Sequence, residues 1–172
     1  MRSTAARKPG ATPTADGFID RIVHMFDRIP NTFVALIARF SIAAVFWNSG
    51  QTKIQGLAIN IVNGEFVLGW PRLSDSAVAL FADEYKLPLI APEIAAPMAA
   101  LAEHVFPLLI LVGLATRLSS LALLGMTAVI QIFVYPDAYA THGTWAALLL
   151  YLMARGPGAL SVDAWLASRR SR

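Results

Sequence analysis

The chain has 172 residues, 56% of them hydrophobic and only 15% charged, with a mean hydropathy of +0.57 and no cysteine. Soluble domains carry about 25% charged residues, and one of this size has no room to hide so much apolar side chain, so the surplus faces lipid. Lack of cysteine excludes disulfides, thiol redox chemistry, thiolate-held zinc, iron–sulfur clusters and c-type haem attachment. The charge of +3 is judged by where the basic residues fall.

Residues 1–17, MRSTAARKPGATPTADG, are small, polar and proline-containing and read as a flexible tail. No signal peptide is expected, because the first long apolar run starts only near Phe33 without a small-residue cleavage site. Over 18–30, Phe18, Ile22, Phe26 and Ile29 recur at helical spacing opposite Asp20, His24, Asp27 and Arg28. This pattern predicts an amphipathic interfacial helix ended by Pro30, with His24 on its solvated face.

Apolar stretches over 31–50, 94–115 and 118–135 span about 30, 33 and 27 Å as helices, matching a hydrocarbon core of ~30 Å. A fourth, 141–154, spans about 21 Å and must start earlier, near Pro136, or sit in a thinned or partial embedding. The loop 51–93 is expected to hold a second amphipathic helix over 75–86, capped by Ser74, after a stretch broken by Gly64, Gly69, Trp70 and Pro71. Trp47, Trp70, Tyr135 and Trp145 are placed as an aromatic belt at the outer ends. Residues 166–172 form a basic tail. The fold class is therefore an all-α integral membrane four-helix bundle with an N-terminal amphipathic interfacial helix.

Four spans put both termini on one side. That side holds Arg2, Arg7, Lys8, Arg21, Arg28, Arg117, Arg155, Arg169, Arg170 and Arg172, against Lys53, Arg72 and Lys86 on the other. The asymmetry predicts cytoplasmic termini in a bacterial-type inner membrane. The basic balance reports topology, so no nucleic-acid partner is expected; the lipid bilayer is one.

Polar groups at membrane depth are costly and so mark candidate function. Arg39 lies about 10 to 13 Å from the cytoplasmic face, and Glu103 and Gln131 about 18 and 20 Å from it, by the helical rise. With Asn48 and His104 at similar or more external depth, Arg39, Asn48, Glu103, His104 and Gln131 make one expected intramembrane polar cluster. In it Arg39 pairs with Glu103. Pro107 frees the Glu103 carbonyl and favours a kink. Two readings stand: a buried ion pair that sets helix register, or a proton or ligand site, for which the extra His104 argues. No metal site is expected, because His142, the other histidine on the membrane side, lies near the outer mouth and reads as a satisfied loop residue or a proton relay. Ala95/Ala99, Ala96/Ala100 and Ala43/Ala44 allow close helix approach.

The run Arg39-Phe-Ser-Ile-Ala-Ala-Val-Phe-Trp47 with Gly50-Gln-Thr-Lys53 resembles the first-helix signature of DoxX proteins. Phe81-Ala-Asp-Glu-Tyr85, Pro88, Pro92, Ala95-Ala96, Glu103, Leu111 and Gly113-Leu-Ala-Thr-Arg117 resemble that family's second-helix block, and Gly156-Pro-Gly158 to Ser161-Val-Asp163 its tail. The likeness covers about 31–165, with Gly50, Lys53, Gly113, Arg117 and Asp163 as motif positions. It departs in the charged N-terminal extension and the long first outer loop.

The resemblance implies a four-helix membrane protein linked with redox metabolism, such as the subunit associated with thiosulfate:quinone oxidoreductase. The leading expectation is an inner-membrane subunit of a redox or stress-related assembly, with room for a quinone or small molecule in the bundle. In that reading Glu103 handles a proton, Arg39 sets its charge or holds an anion, and Asn48, His104 and Gln131 hydrogen-bond. No cofactor is evident in the residues themselves, so electrons must come through a bound quinone or a protein partner; homo-oligomerisation is the other form of partnership. A non-catalytic anchor or scaffold is the alternative, and a small transporter a third.

Overall fold

The computed structural model describes residues 15–60 and 63–170. Most of the tail 1–17, and the last two residues of the basic tail, lie outside them. Residues up to Pro30 and residues from Asn31 on are two separate compact units.

In the first unit α1 runs Ala15–Phe26, so it takes in the end of the stretch read as tail. Its apolar side chains stay uncovered within that unit, Phe18 and Phe26 among them. His24 sits on the exposed side, 3.6 Å from Asp27.

The second unit is the membrane bundle. Helix α2 (Asn31–Gln51) starts directly after Pro30 and meets its first glycine only at Gly50. Strands β1 (Ile54–Asn60) and β2 (Glu65–Leu73) then pair antiparallel, followed by α3 (Asp75–Leu80) and a π-helical turn, Phe81–Tyr85. Helix α4 is Pro92–Val112, and α5 is Thr116–Val129 continued by a π-helical turn through Val134. A 3-10 turn at Pro136–Ala138 leads into α6 (Tyr139–Arg155), and α7 is Val162–Arg170. The segments 31–51, 92–112 and 116–134 are long and apolar enough to cross a membrane. Helix α6, the fourth of the bundle, has 17 residues, about 26 Å by the helical rise.

The expected helical membrane bundle is thus what the chain forms, with one addition: the outer loop carries a β-hairpin. Its alternation was hidden by a bulge between Gln55 and Leu57. There Gly56 takes φ +88°, and Gly69 comes so close that a Cβ on it would lie 2.4 Å from the Gly56 carbonyl oxygen. Pro71 fits because both strands of a two-stranded sheet are edges. Ser74 does precede α3, but its hydroxyl pairs with Ser76 rather than capping the helix.

Ala35, Ala38, Ile42 and Phe46 of α2 pack with Ile110, Leu123, Leu149 and Leu152 from the other three bundle helices into one core. Ala96 and Ala100 of α4 and Ala43 of α2 are buried, as small residues at close helix crossings are. Leu101, Leu118, Leu121 and Ile132 point outward, the faces that lipid covers. We call the two ends of the bundle the hairpin end and the α7 end.

Candidate functional site

Two buried cations organise the bundle. At the α7 end Arg39 is 3% exposed, and its guanidinium donates to four backbone carbonyls. Ile110 (2.8 Å) and Leu111 are in the last turn of α4; Pro157 (3.1 Å) and Leu160 (2.7 Å) are in the connection from α6 to α7. The last turn of α4 leaves the Leu111 carbonyl without an intrahelical partner and the Ile110 carbonyl with only the Gly113 N–H, and a planar fork of N–H donors is suited to satisfy several carbonyls at once. The helix ends in a Schellman turn: Leu114 N–H reaches the Leu109 carbonyl, Gly113 N–H the Ile110 carbonyl, and Gly113 takes φ +74°. A Cβ at Gly113 would lie 2.5 Å from that of Ser161 and 3.0 Å from the guanidinium carbon, so only glycine fits under the arginine. Asp163 completes the knot. Its two carboxylate oxygens accept from the N–H groups of Ala115 and Thr116 at the start of α5.

Arg39 therefore does not pair with Glu103. It is level with Ile110, seven residues or about 10 Å along α4 from the acid. The error came from setting the start of α2 and the end of α4 at one depth: Arg39 lies eight residues into α2, about 12 Å, yet meets Ile110 only two residues, about 3 Å, from the end of α4.

The partner of Glu103 is Lys53. Their side chains are each 3% exposed, with Nζ 2.7 Å from Oε2. Ser49 links them: its hydroxyl donates to Glu103 Oε1 (3.2 Å) and accepts from Lys53 Nζ (3.1 Å), which also reaches the Ser49 carbonyl. Lys53 lies just past α2 and folds back along its last turn. The signal for it was the Gly50-x-x-Lys53 ending.

His104, next to the acid in sequence, points elsewhere. Its Nδ1 donates to the Ala100 carbonyl (2.6 Å), and its Nε2 accepts from Gln51 Nε2 (2.9 Å). The Gln51 amide oxygen in turn accepts from Ile59 N–H, and Trp47 donates to the Ile59 carbonyl. Both ring nitrogens are used, and the imidazole fastens β1 to the bundle. Gly50 admits it: a Cβ there would lie 2.8 Å from the ring. Asn48 is exposed and lines a groove with residues of β1, apart from the acid.

Glu103 and Ser49 open instead on a cavity of about 350 Å³ walled by Phe46, Met98, Ala99, Tyr85, Tyr135 and Trp145. His142, buried at the start of α6, lines it too. Gln131 belongs with His142. Its Nε2 donates to the Pro136 carbonyl (2.6 Å), which turns its oxygen toward His142 Nδ1 at 2.7 Å. The carbonyl can only accept, so the amide orientation is set, Nδ1 carries the proton, and Nε2 is left as a lone-pair acceptor with no hydrogen bond among the described residues. The expected five-residue cluster is thus dispersed: Arg39 at the α7 end, His104 on the hairpin, Asn48 in an exposed groove beside β1, and Glu103 and the Gln131-held His142 at one cavity. Trp47 and Trp145 likewise face inward, against His104 and Phe46, and only Trp70 of the expected tryptophan belt is strongly exposed.

Over the cavity mouth Tyr135 donates a hydrogen bond to Glu84 in the π-helical turn after α3, and its ring meets Tyr85 edge-on at 5.8 Å. The bond to Glu84, then burial, holds the Tyr135 phenol above its ordinary pKa; burial raises that of Tyr85.

The family model described as DoxX matches residues 34–136, more than half of the chain and all of the stretch from Arg39 to Tyr135. The chain belongs to the DoxX family. Within the DoxX match, Arg39, Gly50, Lys53, Glu103 and Gly113 all belong to the geometry above, and Arg117 also falls inside it, while His142 and Asp163 fall beyond it. No curated protein and no solved structure matches the chain.

Proposed function

We propose that this DoxX-family membrane protein is a subunit of a redox or stress-related assembly in a bacterial-type inner membrane, with both termini cytoplasmic, and that its cavity takes a quinone-like small molecule. One observation carries the reading: a largely apolar cavity, within the ~300–1,000 Å³ of small-molecule sites, faced by a buried carboxylate and an imidazole with a free acceptor nitrogen. The residues present suit a single-ring head group. Phe46 and Trp145 offer flat apolar walls, and His142 Nε2 would accept a hydrogen bond from a ring hydroxyl of the reduced, quinol form.

A bound quinone supplies two-electron chemistry that these side chains lack, with a partner protein as the other electron carrier. The chain's own contribution is to exclude water, orient the ring and manage protons. Gln131 holds the His142 tautomer that receives one; Lys53 and Ser49 hold Glu103 at the cavity wall, positioned to take or return it. A scaffold reading is favoured by a different feature, the uncovered apolar side chains of α1, which suit a protein or lipid partner.

The test is to purify the protein in mild detergent, extract it, and quantify quinone by mass spectrometry in the native chain and in His142→Phe. We expect near-stoichiometric quinone in the first and at least a tenfold loss in the second, which should still melt cooperatively, a few degrees lower for the hydrogen bond lost at Gln131. Equal quinone in both, or none in either, would overturn the proposal.

A further inference from the structure

The α7 end carries a feature that neither the Arg39 knot nor the cavity uses. A cleft of about 560 Å³ lies between the turn joining α4 to α5 and the connection joining α6 to α7. Arg117 and Arg155 both line it. Both are exposed, and neither makes a hydrogen bond or ion pair among the described residues. Arg117 lies over Gly156, where a Cβ would stand 3.6 Å from its guanidinium. Two like charges brought to one cleft repel unless an anion sits between them.

Three further facts give the cleft its chemistry. It opens at the start of α5, whose first N–H groups are already taken by a carboxylate, so the two arginines are its free positive charge. Thr116 in its wall is fully buried, and its hydroxyl has no hydrogen-bond partner. The single acid there, Asp163, has one oxygen on each of the Ala115 and Thr116 N–H groups, so its charge is committed to capping. Beside the arginines Leu118 is 71% exposed, an apolar neighbour on a membrane helix.

We infer that this cleft binds a phosphate group, gripped by Arg117 and Arg155 at the start of α5. Guanidinium forks match phosphate oxygens, and the flanking Leu118 suits the phosphodiester of a lipid. The site is independent of the cavity at the other end and stands whether or not that cavity holds a quinone.

The experiment uses the full chain in detergent, with native mass spectrometry and thermal melting as readouts. The probes are phosphatidylglycerol, phosphatidylcholine and inorganic phosphate, and the proteins are native, Arg117→Gln, Arg155→Gln and the double variant. One arginine at an anionic surface contributes about a fivefold factor, so the double variant should bind phosphatidylglycerol roughly 25-fold more weakly. Arg72→Gln, at the hairpin end, should bind as the native chain does. Preference for phosphatidylglycerol, lost in the double variant, assigns the phosphate to lipid. Stabilisation by inorganic phosphate alone, lost in the same variant, assigns it to a soluble anion. Equal binding of both lipids with no response to phosphate, or a double variant that binds like the native chain, overturns the site. Both arginines are exposed, so melting temperatures without ligand should agree and show the variants folded.

Discussion

The bundle buries one cation near each end and treats them in opposite ways. Arg39 meets no carboxylate; its N–H groups end on carbonyls that the close of α4 and the α6–α7 connection leave open. Lys53 meets Glu103, and that pair stands on the wall of a cavity. The difference teaches how to sort polar residues at membrane depth. A cation answered by backbone is architecture, because every acceptor it touches belongs to the fold. A cation answered by a carboxylate that faces open space holds a charge where a ligand can meet it.

Arg39→Leu should have the largest effect. It takes the guanidinium away from four carbonyls and should lower stability by roughly 3–5 kcal/mol, a fall in melting temperature on the order of 10 °C. Arg39→Lys should rescue little, since one ammonium does not span the same acceptors. Thermal melts in detergent decide this; a native-like Arg39→Lys would break the contrast between the two ends.

Glu103→Gln comes next. It leaves Lys53 buried without a counter-charge, and such breaks cost about 3–5 kcal/mol. Removing both with Lys53→Met and Glu103→Leu should recover most of the loss. A double-mutant cycle should then show coupling of at least about 3 kcal/mol for Lys53 with Glu103 and additivity for Arg39 with Glu103. Coupling between Arg39 and Glu103 would mean the two ends are one network after all.

The smallest effect is a titration at the cavity mouth. Raised phenol pKa values mean that the folded state favours neutral Tyr135 and Tyr85. Their stabilising contribution is complete below the unfolded value of about 10 and is lost as pH rises through the folded values. Absorbance near 295 nm should show both ionising above the ordinary tyrosine range. Glu84→Gln should bring Tyr135 back toward it, read as the difference from the same titration in Tyr135→Phe. A Tyr135 curve that Glu84→Gln leaves in place would refute the contact as its cause.

Several site residues were legible in the chain and their partners were not. Arg39, Glu103, His104 and Gln131 stood out because a polar side chain in an apolar run is costly wherever it lands. Lys53 stood out only through the family resemblance, as a motif position without a partner, because it lies just past the helix end, where a lysine reads as an ordinary loop charge. His142 read as a loop residue because the 3-10 turn that brings Pro136 under Gln131 has no strong sequence signal. The hairpin was masked by the two glycines that make its bulge possible.

What the chain by itself determined is the part set by local physics. Apolar runs of about 20 residues dictate spanning helices, and the sparse charges dictate which side chains must find partners. Which partner each one found was decided only in the tertiary structure. Partnership depends on where helices stop and how they are rotated against one another, and a shift of three residues moves a side chain by about 4.5 Å, more than a hydrogen bond can stretch.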